Sequence, residues 1–269
     1  MITLAVLVAA LAVVPPLEAR FGPPAPPRRR RANFGLMPFV FATSAVVGVL
    51  EATSLDIVGD RHVGLIPWLG LHGAAAWFVA LAGLDLAGYA GHRLRHRAGV
   101  LWSFHRTHHT DSEVDVTTTL RHHPLDVTVL IATSAVALLV LGCSPAQFAA
   151  YGLLGAVVGL WDHVRFQLPF GLERALGLII QTPGLHRMHH SPEREQTDSN
   201  FGLVLTLWDR LFRTFRPVAG RGPVGLDTID LASRQSLRAM LVEPWRPLVR
   251  PALPAAGPVA HRDPEPARS

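Results

Sequence analysis

The chain has 269 residues, of which 49% are hydrophobic and only 17% are charged. Its mean hydropathy is +0.28, and because about a quarter of the residues of a soluble domain are charged, this composition favours a membrane protein. The net charge of +5 could indicate nucleic-acid binding. The arginines lie beside apolar segments, however, so we expect no nucleic acid and an anionic membrane surface as the partner. The single cysteine, Cys143, excludes a disulfide within the chain and a C-x2-C metal or redox motif.

Residues 1–32 are predicted to form a first membrane helix followed by a basic, Pro-rich linker. Residues 1–17 carry no charge. No basic segment precedes them and no A-x-A-like site clearly follows, so a retained helix is favoured over a cleaved signal peptide. Residues 21–31 contain several prolines and end in four arginines, Arg28–Arg31. We predict a solvated linker that stays on the cytoplasmic side, as basic loops do.

Three longer apolar segments predict a membrane-embedded domain over residues 33–243. Residues 33–50 and 63–84 can each cross the hydrocarbon, which takes about 20 residues. Residues 127–161 are uncharged over 35 positions, too many for one straight helix, and residues 142–145 predict a break into a hairpin. We therefore expect an all-α bundle with about four to five transmembrane or membrane-embedded helices. A cytoplasmic histidine-rich helical cap and a Pro-rich disordered tail, residues 244–269, complete the prediction.

Histidines recur at metal-ligand spacings in the middle of the chain. His92 and His96 form an H-x3-H motif, and residues 105–109 and 186–190 each contain H-x2-H-H. Residues three and four apart share one helix face, so each motif can direct two or three imidazoles at one point. Together the motifs offer more nitrogens than one tetrahedral ion can use, which predicts a two-metal site. The isolated His62, His72 and His261 are interpreted as ordinary core or surface residues.

The surroundings of these motifs extend the pattern over roughly residues 85–216. They include Trp102-Ser103-Phe104 before the second motif, the segment Arg121–Leu125, Trp161-Asp162-His163 and the segment Trp208–Phe212. In this order the motifs resemble the fatty acid hydroxylase superfamily, in its sterol desaturase branch. The resemblance implies a non-haem centre of two Fe ions and O2-dependent oxidation of a lipid C–H bond. It implies nine iron ligands, which are His92, His96, His105, His108, His109, His163, His186, His189 and His190.

The resemblance also implies partners for the reaction. The substrate is expected to be a hydrophobic lipid that enters from the bilayer. Because the chain has one cysteine and so no C-x2-C-H haem-attachment motif, an external electron-transfer protein or reductase is expected to supply the electrons. The histidine motifs are predicted on the cytoplasmic side, the side assigned to Arg28–Arg31.

Four further residues are predicted to support the ligands rather than bind metal. His123 matches a histidine of the family's R-x-H-P pattern, whereas the adjacent His122 has no counterpart. Asp85 lies seven residues before His92, and is either a buried polar group or a partner that orients a ligand imidazole. Asp198 and Asn200 are candidates for the same role at the third motif, or cap a turn.

Three positions depart from the family's pattern. Arg165 replaces an asparagine, Arg213 a glycine and Asp126 a glutamate. None of these changes removes a predicted ligand, so they affect substrate choice and local geometry rather than metal binding.

Two other classes of function stay open at this point. A membrane zinc hydrolase is expected to use H-E-x-x-H or a similar motif, and no histidine motif of this chain contains a glutamate. The other class is a membrane protein that binds metal or lipid without catalysis. Within the oxygenase class, hydroxylation is favoured over desaturation, and sterol-like, hopanoid, carotenoid and acyl-lipid substrates are all compatible with the motifs.

Overall fold

The computed structural model describes residues 2–20, 26–166, 168–218, 222–226 and 234–246, and the regular secondary structure in these segments is helical. One isolated antiparallel bridge joins Ile180 to Leu205. The prediction of an all-α fold is confirmed. The α-helices of the described segments are α1 (Ile2–Glu18), α2 (Pro27–Val47), α3 (Val49–Arg61), α4 (Leu65–Trp68), α5 (Gly73–Arg97), α6 (Gly99–His109), α7 (Pro124–Leu141), α8 (Pro145–Asp162), α9 (Phe170–Leu176), α10 (Pro183–His189), α11 (Arg194–Thr197), α12 (Leu207–Leu211) and α13 (Leu237–Val242).

Three segments of the described chain are long and apolar enough to cross a membrane. They are Pro27–Trp68, Gly73–Arg97 and Pro124–Leu141. Residues Val8–Glu18 of α1 form a shorter apolar helix. The prediction of an integral membrane helical bundle is therefore confirmed, with three candidate spans by length and composition.

The predicted basic linker is wrong at its C-terminal end, because α2 begins at Pro27. A proline suits the first helical position, where its missing N–H needs no partner. Arg28–Arg31 consequently form the first turn of a helix, and the Arg29 side chain is buried. Only residues 26 and earlier can belong to a linker, and residues 21–25 lie outside the described part of the chain.

The predicted span over residues 63–84 is also wrong at both ends. Glycines with positive φ, among them Gly64 and Gly73, interrupt the chain before α5, and these conformations suit residues without a Cβ. Helix α5 then begins at Gly73 and continues to Arg97, beyond the first histidine motif. The apolar pattern ends at residue 84, but α5 continues because one face of its next turns, with Asp85, Tyr89 and His92, packs inside the protein.

The predicted break after residue 141 is confirmed. Gly142 ends α7 with a left-handed φ of 72°, and the Ser144 hydroxyl accepts a hydrogen bond from the Gln147 amide at the start of α8. At this turn the backbones of two glycines meet. A Cβ on Gly64 would lie 2.3 Å from the Gly142 nitrogen, so neither position has room for a side chain.

The predicted tail begins later than residue 244. Glu243–Trp245 form a short 3-10 helix in which Pro244 is buried, and Arg106 donates to the carbonyl oxygens of Glu243 and Arg246. These residues are part of the fold. The remainder of the predicted tail, residues 247–269, lies outside the described residues.

All histidine motifs lie at one end of the bundle, which we call the histidine end. Helices α5 and α8 run toward this end, whereas α2 and α7 begin there. A buried ion cluster fixes the start of α2 to the segment after α6. In this cluster Arg29 pairs with Asp111 and, at 2.7 Å, with Asp115. Breaking a buried pair leaves an uncompensated charge, so the cluster sets the position of segment 110–121 relative to α2.

Candidate metal centre

The structure gathers all nine histidines of the sequence prediction into two buried groups. Within each group the candidate ligand atoms lie within 4.8 Å of one another. The five-histidine group consists of His92, His96, His105, His109 and His189, and the four-histidine group consists of His108, His163, His186 and His190. The two groups are adjacent, since the rings of His109 and His190 stack at 4.5 Å.

The groups combine residues from distant helices because α6 and α10 each carry an H-x2-H-H motif. In α6, His105 and His109 lie one turn apart and join the five-histidine group, whereas His108 faces the other group. In α10, His186 lies one turn before His190, the residue that follows the helix, and both belong to the four-histidine group. His189 faces the five-histidine group. Adjacent residues of an α-helix point about 100° apart, so the two neighbouring histidines at the end of each motif face different groups, and each motif serves both groups.

The spacing within the four-histidine group matches that of ligands around one ion. The Nε2 atom of His163 lies 3.3 Å from that of His108 and 3.0 Å from that of His186. The Nε2 atoms of His186 and His190 are 3.1 Å apart. Ligand nitrogens about 2.0–2.1 Å from a common ion lie roughly 3 Å from one another. One ring nitrogen carries one proton or one lone pair, so this chain of three contacts cannot consist of well-formed hydrogen bonds.

In the five-histidine group the Nε2 atoms have no hydrogen-bond partner among the described residues. Three of these rings are held in place by a contact at Nδ1, the nitrogen that faces away from the centre of the group. His92 contacts the Phe201 carbonyl oxygen at 2.9 Å, His189 the Ser199 carbonyl oxygen at 2.8 Å, and His105 the Asp126 carboxylate at 3.2 Å. Buried polar atoms are nearly always paired, and metal-bound imidazoles typically donate their other N–H to a carbonyl or carboxylate. The donor set therefore fits a metal ion.

Burial favours the neutral form of these imidazoles. Desolvation lowers the pKa of His108 and His109 well below the ordinary value, and the neighbouring imidazoles lower it further. The same causes lower the pKa of His186 and His190. Burial also disfavours the charged form of His163, but the adjacent Asp162 carboxylate raises its pKa. Neutral imidazole is the form that binds metal.

The structure corrects the predicted role of Asp85. Its carboxylate accepts hydrogen bonds from Tyr151 Oη at 3.1 Å and from Trp208 Nε1 at 2.9 Å, and from two backbone amides at 204–205. These bonds join α5 to α8, to the segment that precedes α12 and to α12 itself. Among the described residues no imidazole of the two histidine groups bonds to Asp85. Of the two interpretations, the structure therefore supports that of a buried polar group.

The other predicted supporting residues also differ in detail. Asp198 lies 3.6 Å from His96 Nδ1, so it faces the first motif instead of the third. Asn200 adopts a φ of 53° and binds the backbone of Arg216, which is a turn-stabilising role. His123 begins α7, where its Nδ1 accepts from the Leu125 amide, and lies outside both histidine groups.

Two aspartates that contact the groups were missed as supporting residues. Asp126 contacts His105 and His122, at 3.2 and 2.9 Å, as well as Arg95. Asp162 lies 2.6 Å from His163 Nδ1 and 3.8 Å from His186 Nδ1. Their position in the sequence, close to a histidine, could have identified them as supporting residues. Asp162 directly precedes His163, and Asp126 follows His122 by one helical turn.

The three departures from the family's pattern have distinct surroundings. Asp126 contacts a predicted ligand, as described above. Arg165 pairs with Glu113, and its backbone amide donates to Glu18. Arg213 follows α12 with a φ of 58°, a left-handed conformation in which glycine has no steric cost. This backbone conformation explains why the family's pattern has a glycine at this position.

Comparison with known proteins agrees with this site. A model of the fatty acid hydroxylase family matches residues 77–214, about half of the chain. Alkylglycerol monooxygenase from Homo sapiens is 32% identical over 168 residues, which cover 62% of this chain and 36% of that protein. Ornithine lipid hydroxylase OlsE from Rhizobium tropici is 37% identical over 127 residues, 47% of this chain and 38% of that protein.

More distant is the very-long-chain aldehyde decarbonylase GL1-1 from Oryza sativa subsp. indica, 31% identical over 159 residues, which cover 55% of this chain and 24% of that protein. The chain thus matches only about a quarter to two fifths of the length of these curated relatives. No solved structure matches the chain. The family match spans half of the chain and includes all nine clustered histidines, and the chain therefore belongs to the fatty acid hydroxylase family.

Proposed function

We propose that this protein is a membrane-bound non-haem di-iron oxygenase that hydroxylates a C–H bond of a lipid. The observation that carries the proposal is the division of nine buried histidines into a group of five and a group of four. Each group can hold one Fe ion, and together they would supply O2 activation, a reaction that needs a redox metal.

The protein's own residues would orient and enclose this centre. The carbonyl oxygens of Phe201 and Ser199 and the carboxylate of Asp126 hold three rings by Nδ1, so that Nε2 faces inward. The Trp102 ring lies 4.9 Å from that of His96 and 5.3 Å from that of His109, which limits access of water. A cofactor carries the difficult chemistry while the protein positions it and excludes side reactions.

Substrate and partners follow from the reaction. Insertion of one oxygen atom of O2 into a C–H bond takes up two electrons and two protons and releases one water molecule, so we propose an external electron-transfer protein. Relatives named as a monooxygenase of alkylglycerol and a hydroxylase of ornithine lipid support a lipid substrate, and support hydroxylation over desaturation.

We also propose that the histidine end faces the cytoplasm. Exposed arginines, among them Arg28, Arg31 and Arg97, lie at this end of the bundle, and short loops rich in Lys and Arg stay cytoplasmic. A soluble electron donor could then reach the centre, while the substrate enters from the bilayer.

A zinc hydrolase is a weaker alternative because the two histidine groups contain no carboxylate ligand and no glutamate base. The aspartates near them, Asp126 and Asp162, contact the outer nitrogens of the rings. Among the described residues, neither histidine group includes a carboxylate that could act as a general base on a zinc-bound water.

Metal analysis tests the proposal. The protein, purified in detergent after anaerobic iron reconstitution, should contain about two irons per chain. His108→Ala should lose a large part of this iron, whereas His72→Ala, an exposed residue before α5, should retain it. One zinc per chain would favour hydrolysis, and no bound metal would refute the oxygenase. The loaded protein should then incorporate one atom of 18O2 into a lipid product when a reductant is supplied.

A further inference from the structure

A groove on the outer surface of α5 has no role in the function proposed above. Its volume is about 360 Å³, within the range of small-molecule sites. It is lined by Leu86, Tyr89, Ala90, Arg93, Leu94 and Arg97 of α5 and by Phe212, which follows α12.

The groove is apolar along most of its length and basic at one end. Leu86 and Ala90 lie within the candidate membrane span Gly73–Arg97, and Ala90 is exposed. Arg93 and Arg97 lie one turn apart in the last turns of the helix, at the histidine end of the bundle. Positions 86, 90, 93 and 97 share one helix face, so an apolar strip ends in two guanidiniums.

We propose that this groove binds a bilayer phospholipid with an anionic headgroup. One acyl chain lies along Leu86 and Ala90, and the phosphate lies between Arg93 and Arg97. A planar guanidinium recognises phosphate through two parallel N–H donors, and arginines at a helix end reach the headgroup level while their stems stay in apolar surroundings. Phosphatidylglycerol has both the phosphate and the net negative charge that this pair of arginines complements.

The arginines are available for such a ligand. Arg97 is exposed, and the Arg93 guanidinium donates to Tyr89 Oη at a long 3.3 Å. The Asp209 carboxylate, which lies near Arg93, is engaged by the amides of Phe201 and Gly202 and by the Thr214 hydroxyl. Phosphate therefore does not have to displace a strong ion pair.

Two aromatic rings, Tyr89 on the groove wall and Phe201 behind it, lie between the groove and the five-histidine group. Phe212 stacks on Tyr89 at 5.4 Å, and Tyr89 meets Phe201 edge-on at 6.2 Å. The Phe201 ring in turn lies 5.7 Å from those of His92 and His189. A lipid in the groove would therefore contact the Tyr89 ring on the side that faces away from Phe201 and the histidines. Its binding requires no metal and does not depend on the proposed oxygenase activity.

Lipid retention by the full-length protein tests the proposal. The protein is purified in detergent, mixed with micelles that contain phosphatidylglycerol, and examined by native mass spectrometry. Arg93→Gln/Arg97→Gln should lower the affinity for phosphatidylglycerol on the order of tenfold, because two charge-assisted contacts are lost. Arg28→Gln/Arg31→Gln removes the same charge from two exposed residues of α2 at the same end and should retain the lipid.

A second variant tests the groove itself. Ala90→Trp keeps both arginines but fills the apolar strip with an indole ring, and it should also lower retention. Thermal unfolding in detergent identifies any variant that fails to fold. Equal retention by wild type and Arg93→Gln/Arg97→Gln would overturn the proposal, and so would equal losses in the two arginine pairs. If Arg93→Gln/Arg97→Gln loses the lipid while Ala90→Trp retains it fully, the arginines bind the headgroup without the apolar strip. That outcome would also overturn the proposal of a groove.

Discussion

Three of the clustered imidazoles, those of His92, His189 and His105, are oriented by the group that the Nδ1 atom contacts. Phe201 and Ser199 provide carbonyl oxygens for His92 and His189, and Asp126 provides a carboxylate for His105. Such outer contacts fix the ring orientation and increase the basicity of the ligand nitrogen. They are therefore expected to affect how tightly the proposed centre binds metal, although they are not ligands themselves.

Asp126→Asn is expected to lower metal affinity by about 10- to 100-fold, the usual effect of losing an outer carboxylate. The amide keeps the size of the side chain but not the charge that faces His105 and Arg95. Equilibrium dialysis against buffered Fe²⁺ measures the change. Asp198→Asn, whose carboxylate is 42% exposed and 3.6 Å from His96, should have a smaller effect. Equal effects of the two substitutions would contradict this ranking.

At this scale the sequence identified the candidate ligands but not their supports. The spacing of the histidines follows from the helical repeat, so the motifs could be recognised from local sequence alone. The carbonyl groups of Ser199 and Phe201 are backbone atoms, and only the packed chain brings them to His189 and His92. Asp85 was misassigned for the same reason, since its partners lie about 120 residues later in the chain.

At the scale of elements, a buried ion cluster connects the first turn of α2 to the segment between α6 and α7. Arg121 continues the cluster, donating to Asn33 Oδ1 at 3.1 Å and to Thr110 Oγ1 at 2.8 Å. Burial would raise the pKa of Asp111, but the guanidiniums of Arg29 and Arg121 lower it to about 2 from 3.8. A carboxylate with a depressed folded-state pKa stabilises the fold above its unfolded pKa.

The contribution of Asp111 is therefore complete above about pH 4 and is lost as the pH falls through 2, with a magnitude of about 2 kcal/mol. The thermal unfolding temperature in detergent should fall between pH 6 and pH 3 in the wild type. In Asp111→Asn the temperature should be lower at pH 6 and should change less over this range. Parallel pH profiles for the two proteins would show that Asp111 does not carry this dependence.

The turn after α12 permits a second test at this scale. Arg213 has a φ of 58°, which costs a non-glycine residue about 1 kcal/mol or more. A glycine relieves this strain but adds about 0.4–1 kcal/mol of unfolded-state entropy. Arg213→Gly should therefore leave the free energy of unfolding unchanged or increase it by up to about 1 kcal/mol. Arg213→Val should decrease it, because β-branched residues tolerate this region poorly; a more stable valine variant would refute the argument.

Element boundaries were predicted well where the local sequence determines them. The glycine and serine at 142–144 end one helix and begin the next, and this break was found from the sequence. The start of α2 was missed because four consecutive arginines suggest solvent, whereas Arg29 is buried by two aspartates more than 80 residues away. Tertiary pairing of this kind leaves no local pattern.

At the scale of the whole molecule, the exposed Arg28, Arg31 and Arg97 lie at the opposite end of the bundle from the turn that contains Gly64 and Gly142. This separation allows the proposed orientation to be measured. In a Cys143→Ser background, right-side-out vesicles are treated with an impermeant maleimide. His62→Cys, an exposed position beside the glycine turn, should be labelled, and Arg28→Cys should be labelled only after the vesicles are opened. The reverse pattern would place the histidine end outside.

The unpartnered imidazole nitrogens of the five-histidine group also concern the abundance of the protein in the cell. Each buried polar atom without a partner costs about 1–3 kcal/mol, and five Nε2 atoms of this group have none among the described residues. A ligand that binds only the folded state stabilises it by mass action, so metal loading and folding are coupled. Chains that stay empty are expected to unfold more often and to be degraded faster. Under the proposed di-iron assignment, a cell short of iron should therefore hold less of this protein.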